Sequence, residues 1–345
     1  MTLSRDELAR TFERFGDVEC RGYGPLYERL SPVIAKDAAL LDLAANAGST
    51  PVPNLLFAAV HYLLLGGLEH ELANFYPTVL EARRARTPAP QLSAEAAFAD
   101  FCRKHESEII PLLRTRRTQT NEVRRCALLL PAYARVAKDS GRALALVEIG
   151  AAAGFNLLFD RYSYVYGTQR CTAPGSRLAL KCELRGNPVE IPTAPPQVAW
   201  RRGLDLNPID IDDSDAVRWL QALIWPEHVE RMARLNTAIE IARVQRSEIV
   251  GGDALKTLPE AISHAPGDAA LCVVHSFTLN QFSKPNRETL EKILRKAATK
   301  RPVYRLGVEG ADPTVLQWTR YEGAHEKTAP LAHCQPHGEW LEWLA

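Results

Sequence analysis

Through roughly the first 140 residues apolar side chains recur three and four positions apart, which is the spacing of amphipathic helices. Ser4 and Glu7 stand as a capping box ahead of Leu8, Phe12 and Phe15, so the chain opens on a helix with one apolar face. A second helix, from about Asn54 to Glu71, is apolar nearly all round, as a central helix is. A third places Phe98, Phe101, Cys102, His105 and Ile109 at helical spacing, and a fourth places Val123, Ala127, Leu130, Ala134 and Ala137. The Pro-rich stretches GSTPVPN and ARTPAPQ read as turns between the early helices.

From Ala143 the pattern changes to short apolar runs that end at Gly, Asp or Ser and alternate with helical stretches. ALALVEIG, GLDLN, EIVGGDA, LCVVHS and VYRLGVEG are the candidate strand ends of a mostly parallel α/β sheet. Between the first two, Tyr162, Tyr164 and Tyr166 alternate with Ser163 and Val165, and Leu178, Leu180, Cys182 and Leu184 alternate with Ala179, Lys181 and Glu183. Period two means strands. The pattern therefore predicts an N-terminal all-helical domain over 1–120 and an α/β domain over 121–345, with a β-hairpin inserted at about 160–200 and closed by Gly186, Asn187 and Pro188.

Composition narrows the function classes. At 345 residues the chain exceeds the roughly 100 to 200 of one domain, which agrees with two units. Forty-two basic side chains oppose 41 acidic ones, leaving a net charge of +1, so no global field favours nucleic acid or anionic lipid as a partner. The run Val52 to Leu68 contains Pro53, Asn54 and His61 and falls short of the roughly 20 residues that span a bilayer. MTLSRDELARTFERF is charged from Arg5 onward and lacks a signal-peptide core, and the seven cysteines are scattered without a CxxC pair. The reading is a cytoplasmic protein with reduced thiols and no membrane partner.

The segment LALVEIGAAAGFNLLFD runs from a strand through a turn of small residues into a helix start. Its frame is Glu148-x-Gly150-x-Ala152-x-Gly154, with Asn156 just beyond. Such a turn lets backbone approach a ligand closely. An acid at the strand tip suits a cationic ligand such as a sulfonium or an amino group and repels a pyrophosphate, so a nicotinamide dinucleotide is disfavoured. These residues resemble the first motif of class I S-adenosylmethionine-dependent methyltransferases, an acidic residue followed by GxGxG, with Ala152 in place of the middle glycine.

The resemblance implies a Rossmann-like methyltransferase sheet and continues in order along the chain. GLDLNP would place Asp205 and Asn207 at the ribose, GGDAL would place Asp253 and Ala254 at the adenine, and VVHSF would place His275 and Ser276 at the mouth of the cleft. Glu148, Gly150, Ala152, Gly154 and Asn156 would shape the methionine side. Gln119, Asn121 and Glu122 precede the first strand and would reach the same end, with helix capping by Asn121 as the competing account. The gap from Glu148 to Asp205 far exceeds the roughly 20 residues of a simple βαβ step, and the inserted hairpin is expected to account for it.

End to end the chain is also similar to a bacterial family known as domain of unknown function 2332, through PNLLFAAVHYLLL, RTQTNEVRRC, VEIGAAAGFNLLFDRY, RGLDLNPIDI, WLQALIWPEH and GGDAL. This second resemblance implies a methyltransferase-like architecture without a substrate, whereas the first implies methyl transfer from S-adenosylmethionine to a small or medium-sized acceptor, with the helical domain as a lid. Direct displacement needs alignment more than acid–base machinery. The alternative is a non-catalytic ligand- or partner-binding protein that retains the fold.

Other candidates have plainer readings beside them. His275 is a candidate general base or a satisfied histidine at a strand end. Asn280 and Gln281 could orient an acceptor or cap a loop. The three tyrosines could wall the acceptor or fill a half-buried strand face. Arg114, Arg116, Arg117, Arg124 and Arg125 could grip phosphate or RNA, but no aromatic residues interleave with them, which favours a solvated helix face. His333, Cys334 and His337 are metal-ligand types without a partner cluster, so no metal is expected.

Overall fold

A computed structural model describes residues 3–84, 90–310 and 313–345 of the chain, and most of the joint ARTPAPQ lies outside the described residues. The chain divides into two compact units: Met1–Thr120 with Asp212–Leu235, and Asn121–Ile211 with Asn236–Ala345. The sequence pattern assigns 212–235 to the sheet domain, because a helix looks the same whichever core it joins. Its packing decides otherwise. Trp219, Ala222 and Leu223 belong to the first unit's core, and the Trp219 indole donates to the Arg117 carbonyl at 2.9 Å.

In the first unit, the helix Arg5–Arg14 starts at the expected box, where the Ser4 amide donates to Glu7 Oε2 at 2.8 Å and the Glu7 amide donates to Ser4 Oγ at 3.3 Å. The helix Val52–Leu65 is buried on almost every side, and Phe57 stacks on Tyr27 with ring centroids 3.9 Å apart. His61 lies within it, donating from Nδ1 to the Ala222 carbonyl at 3.1 Å and accepting at Nε2 from Thr78 at 2.9 Å. Burial lowers its pKa to about 4, so it is neutral. The third expected helix is two, Ala94–Lys104 and Glu106–Thr115, broken where the His105 backbone leaves helical geometry.

The second unit is mixed α/β. Among the described residues its helix Arg125–Ser140 leads into twelve strands: β1 Leu144–Ile149, β2 Ser163–Tyr166, β3 Gln169–Cys171, β4 Ala179–Lys181, β5 Glu183–Gly186, β6 Val198–Asp205, β7 Glu248–Gly251, β8 Ala270–Ser276, β9 Val303–Glu309, β10 Thr314–Glu322, β11 His325–Cys334 and β12 Trp340–Trp343. Nine of them form one sheet in the order β5-β12-β11-β10-β9-β8-β1-β6-β7, with β7 to β9 parallel and β9 to β12 antiparallel. From β1 the chain builds outward through β6 and β7, then crosses to β8 and β9 on the other side. The strand order thus reverses between β1 and β8, and the crevice beyond the carboxyl ends of strands at such a point is where open α/β sheets bind ligands.

Side-chain alternation explains why β1 is buried throughout. Ala145, Val147 and Ile149 share a core with Leu258 and Ala261 of the helix Ala254–His264 and with Leu290 and Leu294 of the helix Lys284–Ala298. Leu146 and Glu148 face the other way.

The inserted segment departs from the expected hairpin. β2 pairs antiparallel with β3 across Gly167 and Thr168, and β4 returns parallel to β2, giving a separate three-stranded sheet in the order β3-β2-β4. β5 leaves it to pair with β12 at the edge of the large sheet, and Gly186 and Asn187 sit there rather than closing a hairpin. Periodicity identified strands but could not say which partners they would find. No helix among the described residues is long and apolar enough to cross a membrane.

Candidate functional site

Because β1, β6, β7 and β8 are parallel neighbours, their carboxyl ends meet at one sheet edge, and Glu148, Asp205, Asp253 and His275 lie at or within two residues of them. The turn after β1 is built by backbone bonds: Gly150 N donates to the Leu204 carbonyl at 2.8 Å and Gly154 N to the Ala151 carbonyl at 2.7 Å. Among the described residues only Arg84, Ala152 and Phe277 are non-glycine residues in the left-handed region, and the last two, both at φ 52°, follow β1 and β8. Such backbone costs about 1–3 kcal/mol per residue and persists where its surroundings over-determine it, typically at binding sites. The strain flanks the switch point.

Glu148 is only 2% exposed. Its Oε1 accepts from Asn156 Nδ2 at 3.1 Å, while its Oε2 is buried with no hydrogen-bond partner. Burial, above all, raises its pKa to about 8; the Asn156 bond opposes the rise and the charge of Asp205 adds to it. Asn156 in turn accepts from the Cys126 thiol at 3.3 Å, and Asn121 Oδ1 accepts from the Phe155 amide at 3.1 Å. Asn121 therefore fixes the helical turn that follows Gly154. Glu122 is buried and accepts from the Arg124 amide at 3.0 Å. Gln119 falls with the first unit.

Asp205 is committed to the turn. Its Oδ2 accepts from Ala152 N and its Oδ1 from Asn207 N, each at 2.8 Å. The expected ribose ligand is thus also the clamp on the strained alanine. Asn207 and Asp253 are exposed; Asp253 caps the helix Ala254–His264 through the Leu255 amide at 2.9 Å, and Ala254 is half-buried as its first residue.

His275 does not open onto the cleft. It is 1% exposed, Arg305 Nε donates to its Nε2 at 3.1 Å, and its Nδ1 donates to Glu309 Oε1 at 2.8 Å. Burial lowers its pKa, outweighing the Glu309 bond. The lone pair that a general base needs is already taken, so the satisfied-histidine reading fits and the catalytic one does not. Ser276, Phe277 and Thr278 are half-buried beyond it, while Asn280 and Gln281 are exposed.

The remaining candidates are structural. The hydroxyls of Tyr162, Tyr164 and Tyr166 donate to the carbonyls of Phe155, Phe159 and Ala127 at 3.0, 2.6 and 2.5 Å, so they tie β2 inward instead of walling a cleft. The arginine run is dispersed: Arg114 bonds Asn46, Arg116 pairs with Asp215 and lies over Tyr62 and Trp219, Arg124 pairs with Glu339, and Arg125 donates to the Pro336 carbonyl. His333 lies 3.5 Å from Glu342, and no group of three metal-ligating side chains stands together among the described residues. All seven cysteines are free and buried.

Sequence reasoning missed Thr278 and Glu309. VYRLGVEG ends on an acid just before a glycine, a faint copy of VEIG, and that signal was available for Glu309. Residues 9–343 match the family described as "Uncharacterized protein conserved in bacteria (DUF2332)". The chain belongs to this family. No curated protein and no solved structure matches it. The DUF2332 match spans both units, so Glu148, Asp205 and Glu309 all fall within it.

Proposed function

We propose that the second unit of this DUF2332 protein is a Rossmann-like methyltransferase domain that binds S-adenosylmethionine at the carboxyl edge of β1, β6, β7 and β8 and methylates a small or medium-sized acceptor. The observation that carries this reading is Glu148: a buried carboxyl at the tip of the central strand, beside a glycine turn at the switch point, with one oxygen lacking a partner. A buried acceptor of this kind fits a cationic, hydrogen-bond-donating ligand. The order β7-β6-β1-β8-β9 supports the same reading, being the order of a doubly wound sheet.

The cofactor, when bound, supplies a methyl group already activated on a sulfonium. This chain's residues bind and align: Glu148 faces positive charge, the Gly150–Gly154 turn admits close approach, Asp205 accepts from ribose hydroxyls besides the two amides it holds, and Asp253 and Ala254 border the adenine. Alignment supplies much of the rate, so a strong base is not required. A second reading, a binding protein without catalysis, is favoured by one observation: His275 at this edge is already engaged on both nitrogens.

Asp205→Ala is expected to weaken S-adenosylmethionine binding by roughly tenfold to hundredfold, the effect of losing about 1.5–3 kcal/mol of charge-assisted hydrogen bonding. His275→Ala, away from the ligand, should change it by less than about threefold. Calorimetric titration of both variants, with circular dichroism to check folding, decides the matter, and equal or reversed losses would remove Asp205 from the ribose.

A further inference from the structure

One carboxylate oxygen organises the loop after β8. Glu309 Oε1 accepts from His275 Nδ1 at 2.8 Å and from the consecutive amides of Thr278 and Leu279, each at 3.0 Å. The Phe277 amide donates to the Val308 carbonyl at 2.9 Å, and the Arg125 guanidinium lies 4.4 Å from the centre of the Phe277 ring. These contacts hold Phe277 in its left-handed conformation and set the direction of the next residue. Behind Glu309 the chain of bonds continues through His275 and Arg305 to Glu291 and Tyr321, so the carboxylate is itself fixed. Burial pushes the Glu309 carboxyl up, but the His275 bond and the two amides outweigh it and hold it below its ordinary range.

The loop so directed places Thr278 against the glycine turn. A Cβ on Gly150 would stand 2.2 Å from Thr278 Oγ1 and 2.8 Å from its Cγ2, so the threonine occupies the face that the missing side chain leaves open. Its hydroxyl is held loosely, with the Ile149 carbonyl at 3.2 Å and the Ser276 carbonyl at 3.3 Å as alternative acceptors.

We propose that Thr278 covers Gly150 until a ligand displaces it, and that Glu309 is the positioning residue that holds it there. The identity of the ligand rests on the methyltransferase reading, whereas the hold of Glu309 on the loop does not. A side chain over Gly150 competes with any ligand that needs close approach to the turn, so shortening it relieves the competition. Glutamine at 309 keeps an acceptor oxygen for the two amides; alanine keeps none.

The test has two arms. Hydrogen exchange by mass spectrometry, read on a peptide covering 276–282, should accelerate at least about tenfold in Glu309→Ala and much less in Glu309→Gln. Titration with S-adenosylhomocysteine should show Thr278→Ala binding at least about fivefold tighter than wild type, with Glu309→Ala moving in the same direction. Unchanged exchange in Glu309→Ala overturns the positioning role. Binding by wild type that Thr278→Ala leaves unchanged or weakens overturns the covering role and spares the methyltransferase reading. No binding by wild type or any variant overturns both the covering role and that reading.

Discussion

Replacing Glu148 by glutamine should stabilise the protein by on the order of 4 kcal/mol at pH 8 and by little at pH 4.5. Glu148 is 2% exposed, and its pKa rises from an ordinary 4.5 to about 8 in the folded chain. The folded state therefore holds a proton that the unfolded state releases. Stability is lost as pH rises through 4.5 and the loss is complete above about 8, where burying the ionised carboxylate opposes folding most strongly. Glutamine has nothing to ionise. Urea unfolding of both proteins at the two pH values checks this, and an equal difference at both would show that Glu148 is not a buried titrating acid. Above about pH 8, where the wild-type carboxyl is ionised, the same variant should bind S-adenosylmethionine at least about tenfold more weakly, since the ionic partner is gone. A gain in stability bought with a loss of binding marks a residue kept for function.

Gly150→Ala should cost on the order of 2–5 kcal/mol. The residue sits at φ 76°, where a Cβ costs about 1–2 kcal/mol, and the added methyl would overlap Thr278, where overpacking costs about 1–3 kcal/mol more. The second share is separable. Gly150→Ala combined with Thr278→Ala should recover about 1–3 kcal/mol relative to the sum of the single effects, because the atoms that the new Cβ would strike first are removed. Strict additivity in a double-mutant cycle would show that the two side chains do not compete for the same space.

The strand ends were legible because each is an apolar run stopped by an acid, a glycine or a serine, and β1, β6, β7, β8 and β9 all fall on such runs. The partners of the inserted strands were not. Tyr164 alternates correctly for β2, yet nothing in the alternation says that β4 pairs parallel to it or that β5 leaves for β12. The helices of 212–235 carry an amphipathic pattern that suits either core, and only Trp219 and Leu223 packing among the N-terminal helices assigns them.

At the site, Glu148 and the glycine turn were readable from residue type and spacing, since a strand-tip acid beside small residues is local information. His275 was misleading for a physical reason. Its partners Arg305 and Glu309 lie 30 and 34 residues away on the next strand, and only the parallel register of β8 with β9 brings them to its two nitrogens. Asp205 was placed at the right strand end, but its clamp on Ala152 depends on a positive φ that no residue type other than glycine announces.

Whether this edge of the sheet holds S-adenosylmethionine is tested most directly by calorimetric titration of the 345-residue protein, with Ala152→Gly and NAD as comparisons. Wild type should bind S-adenosylmethionine and its demethylated product in the micromolar range, a free energy of about −8 kcal/mol. Ala152→Gly should bind equally or slightly tighter, since glycine adopts the φ of 52° without strain, and NAD should not bind. Absence of binding to S-adenosylmethionine and its product in both wild type and Ala152→Gly would contradict the account.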